Sequence, residues 1–297
     1  MRKLFLYLLL ALTALFWGSS WIVVKSLTAD LDPILIATGR FLLVSVMFIP
    51  VALWLHVKGE RLEGKDVGML ILLGIFGVAL LYILQYSGVN LTTAINASLM
   101  TTFNPTVTLL LSSFFLREKI DFKKVAAILI AFLGAFLVIT NGDMNFGTKM
   151  SDITGSILSL LSTCCWAVYT VMSKKAVGSH SAIFLVVYAS IFGTLLLLPV
   201  AFLTPTAPKL LSLSLYDAGW LFYLAVTCTV FGYFAWSYSL ERIDASEAAI
   251  FIYLVPLSSI LLSYIFLGER LAPYSALGAV LIFAGVYYST KEGSEKY

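Results

Sequence analysis

One apolar passage occurs twice in this chain of 297 residues. Residues 93–119 read TAINASLMTTFNPTVTLLLSSFFLREK, and residues 244–270 read DASEAAIFIYLVPLSSILLSYIFLGER. Three pairs of landmark residues keep a spacing of 151 residues with no gap between them: Pro105 and Pro256, Glu118 and Glu269, and Gly134 and Gly285. A constant spacing of this kind indicates a duplicated structural unit.

The composition places both copies in a membrane. Hydrophobic residues make up 60% of the chain and charged residues 12%, whereas soluble domains are about half apolar and about a quarter charged. Apolar runs of about 20 residues, long enough to cross a bilayer as helices, alternate with short polar breaks. They predict an all-α membrane protein with about ten transmembrane spans, near residues 4–26, 33–56, 67–89, 93–116, 122–140, 153–173, 182–203, 215–240, 245–267 and 273–290.

Residue types that begin helices stand at several of the breaks. Asp32 and Pro33 fit the N-cap and the first position of the second span. Thr93-x-x-Asn96 occupies the same positions as Asp244-x-x-Glu247, which resembles a capping box. Further acidic residues lie at span starts, where the helix dipole favours negative charge, and we interpret them as structural: Asp66, Asp121, Asp152 and Asp217.

Basic residues predict the orientation. With the N-terminus inside, the outer segments contain only Lys149, Lys209 and Arg270, while Lys25 and Arg40 lie within spans and every other Lys or Arg falls on the cytoplasmic side. This asymmetry predicts a multi-pass protein with both termini in the cytoplasm, and we expect it in a prokaryotic plasma membrane. Because five spans per half is an odd number, the second half is expected to be an inverted repeat of the first.

Several short motifs resemble a known family. They are Phe16-Trp17-Gly18-Ser19-Ser20 with Lys25 in the first span, Arg40-Phe41 in the second, and Phe266-Leu267-Gly268-Glu269-Arg270 before a glycine-rich last span. Together with the duplication, they resemble EamA-type members of the drug/metabolite transporter superfamily. Leu116-Arg117-Glu118-Lys119 is the first half's version of the glutamate motif and lacks its glycine.

The resemblance covers nearly the whole chain, as two units near residues 5–140 and 154–290. It implies ten helices around a central cavity and the movement of small metabolites, often outward. It leaves the cargo open, because members of the superfamily carry amino acids, nucleotide sugars, drugs and other solutes.

Polar and aromatic side chains at helical spacing mark candidate pathway faces. Tyr82, Gln85 and Tyr86 share a face of the third span, and Tyr233 and Trp236 take the positions of Tyr82 and Gln85 in the second half. In the first and sixth spans, Trp17 and Ser20 are matched at a spacing of 149 by Trp166 and Tyr169. These aromatic residues either line the cavity or form an interfacial belt.

The fourth span carries a second candidate face. Thr101 and Asn104 begin a polar stripe along it, and Tyr253 of the second copy completes the candidate pathway residues. The stripe either lines the pathway or packs helices through small polar residues. Pro105 and Pro256 free upstream carbonyl groups and act either as matched hinges or as static kinks.

Charged residues within or beside the spans have open roles. Arg40 is basic and well inside a span, about 10 Å below Pro33 at 1.5 Å per residue. It either contacts substrate or a gate, or anchors the helix end by snorkelling. Glu118 and Glu269 lie in turns between spans, where capping a helix or pairing with a nearby basic residue is the expected role.

The placement of acidic residues bears on coupling. Every Asp and Glu lies at or near a predicted helix end, whereas a proton or sodium pathway usually needs a carboxylate inside the bilayer. We therefore expect a uniporter or exchanger, with a proton-coupled antiporter as the alternative. Two alternatives of another class are a membrane enzyme acting on lipids, for which no set of acidic, His or Cys groups is apparent, and a structural subunit.

No cofactor or metal motif occurs. The three cysteines, Cys164, Cys165 and Cys228, form no CxxC pair and lie in apolar runs, so we interpret them as buried small residues. The expected partners are the lipid bilayer and a small-molecule substrate but no nucleic acid, with the chain as a monomer or homodimer.

Overall fold

The computed structural model describes residues 2–104, 106–108, 110–111, 122–140, 150–176, 180–240 and 250–291. Every regular element among these residues is a helix. The first half contains α1 (Arg2–Leu27), α2 (Pro33–Val57), α3 (Gly64–Gly74), α4 (Leu80–Leu91), α5 (Ala94–Thr101) and α6 (Phe122–Thr140). The second half contains α7 (Met150–Ala176), α8 (Ala182–Phe202), α9 (Leu215–Tyr223), α10 (Gly232–Leu240), α11 (Leu254–Leu267) and α12 (Pro273–Lys291).

Among the described residues, six helical stretches are long and apolar enough to cross a membrane: Leu4–Leu27, Pro33–Val57, Gly64–Leu91, Met150–Ser173, Ala182–Phe202 and Leu215–Trp236. Shorter apolar helices cover Leu254–Leu267 and Pro273–Ala284. Large apolar side chains also face outward, as Leu53, Leu195 and Leu261 do on three different helices. An outer surface of this kind is stable only against lipid, so the helices form a membrane-embedded bundle.

The helix starts confirm part of the capping prediction. Asp32 accepts a hydrogen bond of 2.8 Å from the amide of Ile34, with Pro33 in the first turn of α2. Thr93 accepts a bond of 3.1 Å from the amide of Asn96. The Asn96 side chain does not complete a capping box; its Oδ1 accepts a bond of 3.1 Å from Ser275 on α12. Asp121, Asp244 and Glu247 lie outside the described residues.

Two segments of π-helix interrupt equivalent spans. Ile75–Ala79 joins α3 to α4, and Leu224–Phe231 joins α9 to α10. Adding the repeat spacing of 151 residues to the first segment places it inside the second. The extra residue in a π turn widens the helix and is often found near functional sites. Apolar periodicity does not reveal such turns, and neither segment was predicted.

Helices that are copies of each other pack together. On α2 and α8, Ser45 and Thr194 are 149 residues apart, and their hydroxyl groups share a hydrogen bond of 2.8 Å. On α6 and α12, a Cβ added to Gly134 would lie 2.6 Å from the carbonyl oxygen of Gly278. Glycine is therefore required there, because the two backbones approach as closely as small residues allow in membrane proteins.

Candidate functional site: a central cavity

A cavity lies among α1, α2, α4, α5, α7, α10 and α11, and it encloses, together with its opening, about 710 Å³ of empty space. The lining includes these predicted pathway residues: Trp17, Ser20, Arg40, Tyr82, Gln85, Thr101, Asn104, Trp166 and Tyr233. The remaining lining residues are Trp21, Leu81, Ser162, Thr163, Ile252 and Val255. We call this space the central cavity.

An aromatic cluster forms one wall of the central cavity. The Trp17 and Trp166 rings, matched at a spacing of 149 residues, have centroids 6.3 Å apart. Tyr233 contacts both, at 6.2 Å from Trp17 and 5.5 Å from Trp166, in edge-to-face arrangements. Such arrangements are favourable because the positive edge of one ring meets the negative face of another. The wall is therefore suited to a flat or branched apolar group.

Trp17 also binds the backbone of the second π segment. Its indole Nε1 donates a hydrogen bond of 2.8 Å to the carbonyl oxygen of Cys228. A Cβ on Gly232, the first residue of α10, would lie 2.7 Å from that same nitrogen. The glycine makes room for the indole, and the indole donates to a carbonyl oxygen of the π segment.

Tyr82 and Tyr233 meet across the cavity. They are 151 residues apart, so they occupy equivalent positions in the two copies, and their hydroxyl groups share a hydrogen bond of 3.1 Å. Both side chains are buried. Each tyrosine hydroxyl is thus bonded to the hydroxyl of its counterpart, and both residues line the cavity.

Arg40 brings a positive charge to the cavity. Only 2% of the residue is exposed, so its guanidinium group does not snorkel to the end of α2. Nε donates a hydrogen bond of 2.8 Å to Thr229 in the second π segment, and Nη1 donates to the Tyr86 hydroxyl. The guanidinium carbon lies 4.8 Å from the centroid of the Tyr82 ring. No carboxylate pairs with Arg40 among the described residues.

Another part of the lining is polar and neutral. Asn104 on the fourth span donates a long hydrogen bond of 3.5 Å to the carbonyl oxygen of Thr163 on α7. Its Oδ1 accepts from Thr108 at 3.4 Å. Gln85 makes no hydrogen bond to any residue in the described part of the chain. These two amides are the weakly bonded polar groups of the cavity and can bind a polar ligand.

Three predicted pathway residues lie behind the lining. Tyr86 is buried and binds Arg40. Tyr169 stacks beside Trp166 with centroids 5.2 Å apart, and a Cβ on Gly77 in the first π segment would touch its ring at 2.4 Å. Trp236 packs on the far side of Trp17, with centroids 5.4 Å apart. All three hold lining residues in place.

The predicted hinge prolines and Tyr253 are only partly described. Pro256 is buried in the first turn of α11, where a 3₁₀ turn, Ile250–Tyr253, changes to α-helix. Proline is tolerated in the first turn of an α-helix. Pro105 and Glu118 lie outside the described residues, as does the side chain of Tyr253.

At one end of the bundle, two charged side chains bind the turn between α4 and α5. Lys25 Nζ donates to the carbonyl oxygens of Val89, Asn90 and Thr92 at 2.9, 3.1 and 2.6 Å. Glu269 accepts from the amides of Ala94 and Ile95 at 3.0 and 3.1 Å. Each charge lies at the helix end that its sign favours. Glu269 therefore caps a helix, but the helix belongs to the other half of the chain. We call these the turn contacts.

Most of the lining residues that were missed are apolar, and apolar residues give no signal in a sequence that is apolar throughout. Trp21 gave a signal, because it stands one helical turn after Trp17 and shares its face. Ser162 and Thr163 are polar, and Ser162 stands one helical turn before Trp166 on the same face. Within the described residues, no group of three His, Cys, Asp or Glu side chains is placed to hold a metal ion.

Comparisons with known proteins agree with a duplicated membrane protein. The EamA-like transporter family model matches residues 4–140 and again residues 153–291. Two proteins of Archaeoglobus fulgidus, each named as an uncharacterized transporter, are similar. One is 31% identical over 96% of both chains, and the other is 33% identical over 95% of this chain and 97% of its own.

More distant similarities extend over the same length. The uncharacterized transporter YyaM of Bacillus subtilis is 28% identical over 99% of both chains. One crystal structure resembles the fold with a TM-score of 0.65 at 20% identity, over 97% of both chains. The two family matches together span nearly the whole chain, and the protein therefore belongs to the EamA-like transporter family of multi-pass membrane proteins.

Proposed function

We propose that the protein moves a small amphipathic organic solute across the plasma membrane by alternating access, in the outward direction, as a uniporter or exchanger. The observation that carries the proposal is the central cavity, which combines an aromatic wall, two weakly bonded amides and one cation in the middle of the bundle. Amphipathic solutes suit such a lining because it offers apolar surface together with a few polar groups that fix orientation.

The proposal includes two inverted repeats, residues 5–140 and 154–290, of five spans each. A residue close to a twofold axis contacts its own counterpart, and three equivalent pairs do so: Trp17 with Trp166, Ser45 with Thr194, and Tyr82 with Tyr233. The matched π segments also support a common origin of the two halves. Rocking one repeat against the other about such an axis opens the cavity to each side in turn.

The turn contacts support a closed arrangement at one end of the bundle. The proposal assigns this end to the outside of the cell and both termini to the cytoplasm, and the distribution of basic residues along the sequence supports it. In this arrangement, release of the α4–α5 turn from Lys25 and Glu269 accompanies outward opening. The change from 3₁₀ turn to α-helix at Pro256 is the proposed hinge in the second half.

The charges around the cavity favour uniport or exchange. No Asp or Glu is among its lining residues in the described part of the chain, and coupling to protons usually depends on a carboxylate inside the membrane. If transport in liposomes consumed an imposed pH gradient in proportion to the solute moved, proton antiport would replace this proposal.

Purified protein in liposomes tests the function. Candidate solutes are first ranked by the rise in thermal stability that binding produces by mass action, using amino acids, nucleotide sugars, polyamines and aromatic drugs. The best ligands should enter loaded liposomes by exchange and emerge chemically unchanged. A chemically converted product, or the absence of uptake for every ligand that binds, would contradict transport.

Two tryptophan substitutions provide a matched control. Gln85→Trp fills the central cavity and should abolish uptake. Leu72→Trp adds the same side chain at a position that is 44% exposed on the outer face of α3, and it should leave uptake intact. Equal loss in both variants would indicate damage to the fold and would contradict a pathway through the cavity.

A further inference from the structure

We infer that the cargo is an organic anion: a monocarboxylate with an aromatic or branched apolar body, whose carboxylate binds Arg40. This inference rests on the proposed transport function and specifies its substrate class. It comes from the charge balance of the central cavity, where Arg40 is the cation and the other lining residues in the described part of the chain are neutral.

The bonds of Arg40 leave part of its guanidinium group available. A guanidinium group has five N–H donors in a planar fork. Nε binds Thr229, and one N–H of Nη1 binds Tyr86. Nη2 makes no hydrogen bond to any described residue. Because Arg40 lines the cavity, these N–H groups are available to a ligand there. The outer N–H groups of Nη1 and Nη2 match the two oxygens of a carboxylate bound end-on.

The charge itself is not balanced by the described protein groups. The partners of Arg40 are two hydroxyl groups and the faces of the Tyr82 and Phe41 rings, with the guanidinium carbon 4.8 and 5.5 Å from their centroids. Hydroxyls and ring faces reduce the cost of a buried cation, but they do not supply a negative charge. A bound anion supplies the missing charge.

The positive charge of Arg40 also indicates which class of ligand the central cavity favours. A monocarboxylate neutralises the single cation, whereas a phosphate monoester brings close to two negative charges at neutral pH. An amine or polyamine would place a second cation beside Arg40, where no lining carboxylate in the described part of the chain receives it. The rings of Trp17, Trp166 and Tyr233 lie in the same cavity and accept the apolar body.

Matched probes of one shape test the inference on the wild-type protein. The probes are 3-phenylpropionate, its neutral amide 3-phenylpropionamide, the amine 3-phenylpropylamine, and phenylpropyl phosphate. The carboxylate should bind about 10- to 100-fold more tightly than the amide, because a hydrogen bond to a charged group contributes about 1.5–3 kcal/mol. Quenching of tryptophan fluorescence in detergent measures binding without requiring transport. Equal or tighter binding of the amide, amine or phosphate would overturn the inference.

A second measurement concerns charge movement. Uniport of a monocarboxylate carries one negative charge across the membrane. Uptake of 3-phenylpropionate into liposomes should therefore rise with an inside-positive potential and produce a current on a supported membrane. Exchange of one carboxylate for another should produce no current. The contrary result would be uptake of 3-phenylpropionamide down its own concentration gradient, with no solute responding to the membrane potential. That result would contradict an anionic cargo, but it would remain consistent with the proposed transport function.

Arg40→Gln separates binding of cargo from support of the fold. The variant should lose the preference for carboxylate over amide, so that the two probes bind within about twofold of each other. Tyr86→Phe removes one partner of Arg40 but keeps the charge, and it should retain the preference. If Arg40 served only to hold helices together, Arg40→Gln would lower stability and leave the carboxylate preference unchanged. Because the wild-type comparison stands alone, the inference is tested even if Arg40→Gln does not fold.

Discussion

Tyr82 and Tyr233 occupy equivalent positions 151 residues apart, and each hydroxyl group has the other as its hydrogen-bond partner at 3.1 Å. A polar contact between two counterparts in the middle of an apolar bundle links the halves of the chain at the level of the cavity. Because each hydroxyl group is the other's partner, removal of either one removes the whole hydrogen bond.

Substitutions at this pair should therefore not add. Tyr82→Phe and Tyr233→Phe should each cost about 1 kcal/mol, the usual net value of a hydrogen bond. The double variant should cost about the same as either single variant, because the second change removes nothing further. Thermal unfolding in detergent provides the comparison, with Tyr216→Phe, at a side chain that is 62% exposed, as control. Additive losses would mean that the two hydroxyls act independently.

Removal of the Trp17 indole nitrogen should affect the second π segment. Trp17→Phe keeps an aromatic ring in the wall but leaves the Cys228 carbonyl oxygen without its 2.8 Å donor. A buried polar group that loses its partner costs about 1–3 kcal/mol. The thermal midpoint should fall more than for Trp54→Phe, a change on the outer face of α2. Equal thermal midpoints for the Trp17→Phe and Trp54→Phe variants would show that the stability of the π segment does not depend on this hydrogen bond.

The turn contacts should control access to the cavity from the extracellular side. Glu269→Gln and Lys25→Ala weaken the hold on the α4–α5 turn, so a cysteine introduced at Ser20 should react several times faster with an impermeant maleimide. The native Cys164, Cys165 and Cys228 are first replaced by alanine.

Glu60→Gln is the matched control for the turn contacts. Glu60 also accepts a bond from a helix N-terminus, at 3.1 Å from the amide of Ser181 on α8, but it lies on the side predicted to be cytoplasmic. It should leave labelling from outside unchanged. An increase in Glu60→Gln alone would reverse the assignment of the two ends.

The inverted repeat predicts opposite exposure of equivalent turns. In the cysteine-free background, Arg270→Cys and Lys209→Cys should react with the impermeant maleimide on intact cells. Lys58→Cys and Lys124→Cys should react only after permeabilisation. Labelling of Lys124→Cys and Arg270→Cys from the same face would contradict the inverted arrangement and the mechanism built on it.

Apolar run length predicted the helices well. The second and seventh spans were expected at 33–56 and 182–203, and the helices are Pro33–Val57 and Ala182–Phe202. In a bundle surrounded by lipid, the length of an apolar run follows directly from the thickness of the bilayer. The edges were set by residues such as Asp32, whose capping role depends on its immediate neighbours alone.

Side-chain roles were predicted less completely, for a physical reason. Polar and aromatic spacing located Trp17, Gln85 and Asn104 on faces that line the cavity. It did not separate Tyr86 from them, because one helical face includes both lining and supporting positions. It also gave no indication that Glu269 caps α5, since the two lie 175 residues apart and meet only in the folded chain.

Within the described part of the chain, the hydrogen bonds of the Lys25 and Glu269 side chains go to carbonyl and amide groups of the backbone. Every amino acid offers the same carbonyl, and all but proline offer the same amide, so substitutions along the α4–α5 turn leave these bonds largely intact. Relatives can therefore vary the residues of the turn freely. The free energy that holds this end of the bundle closed should change mainly when Lys25 or Glu269 is substituted. Natural or engineered variation in how readily this end opens should accumulate at those two positions.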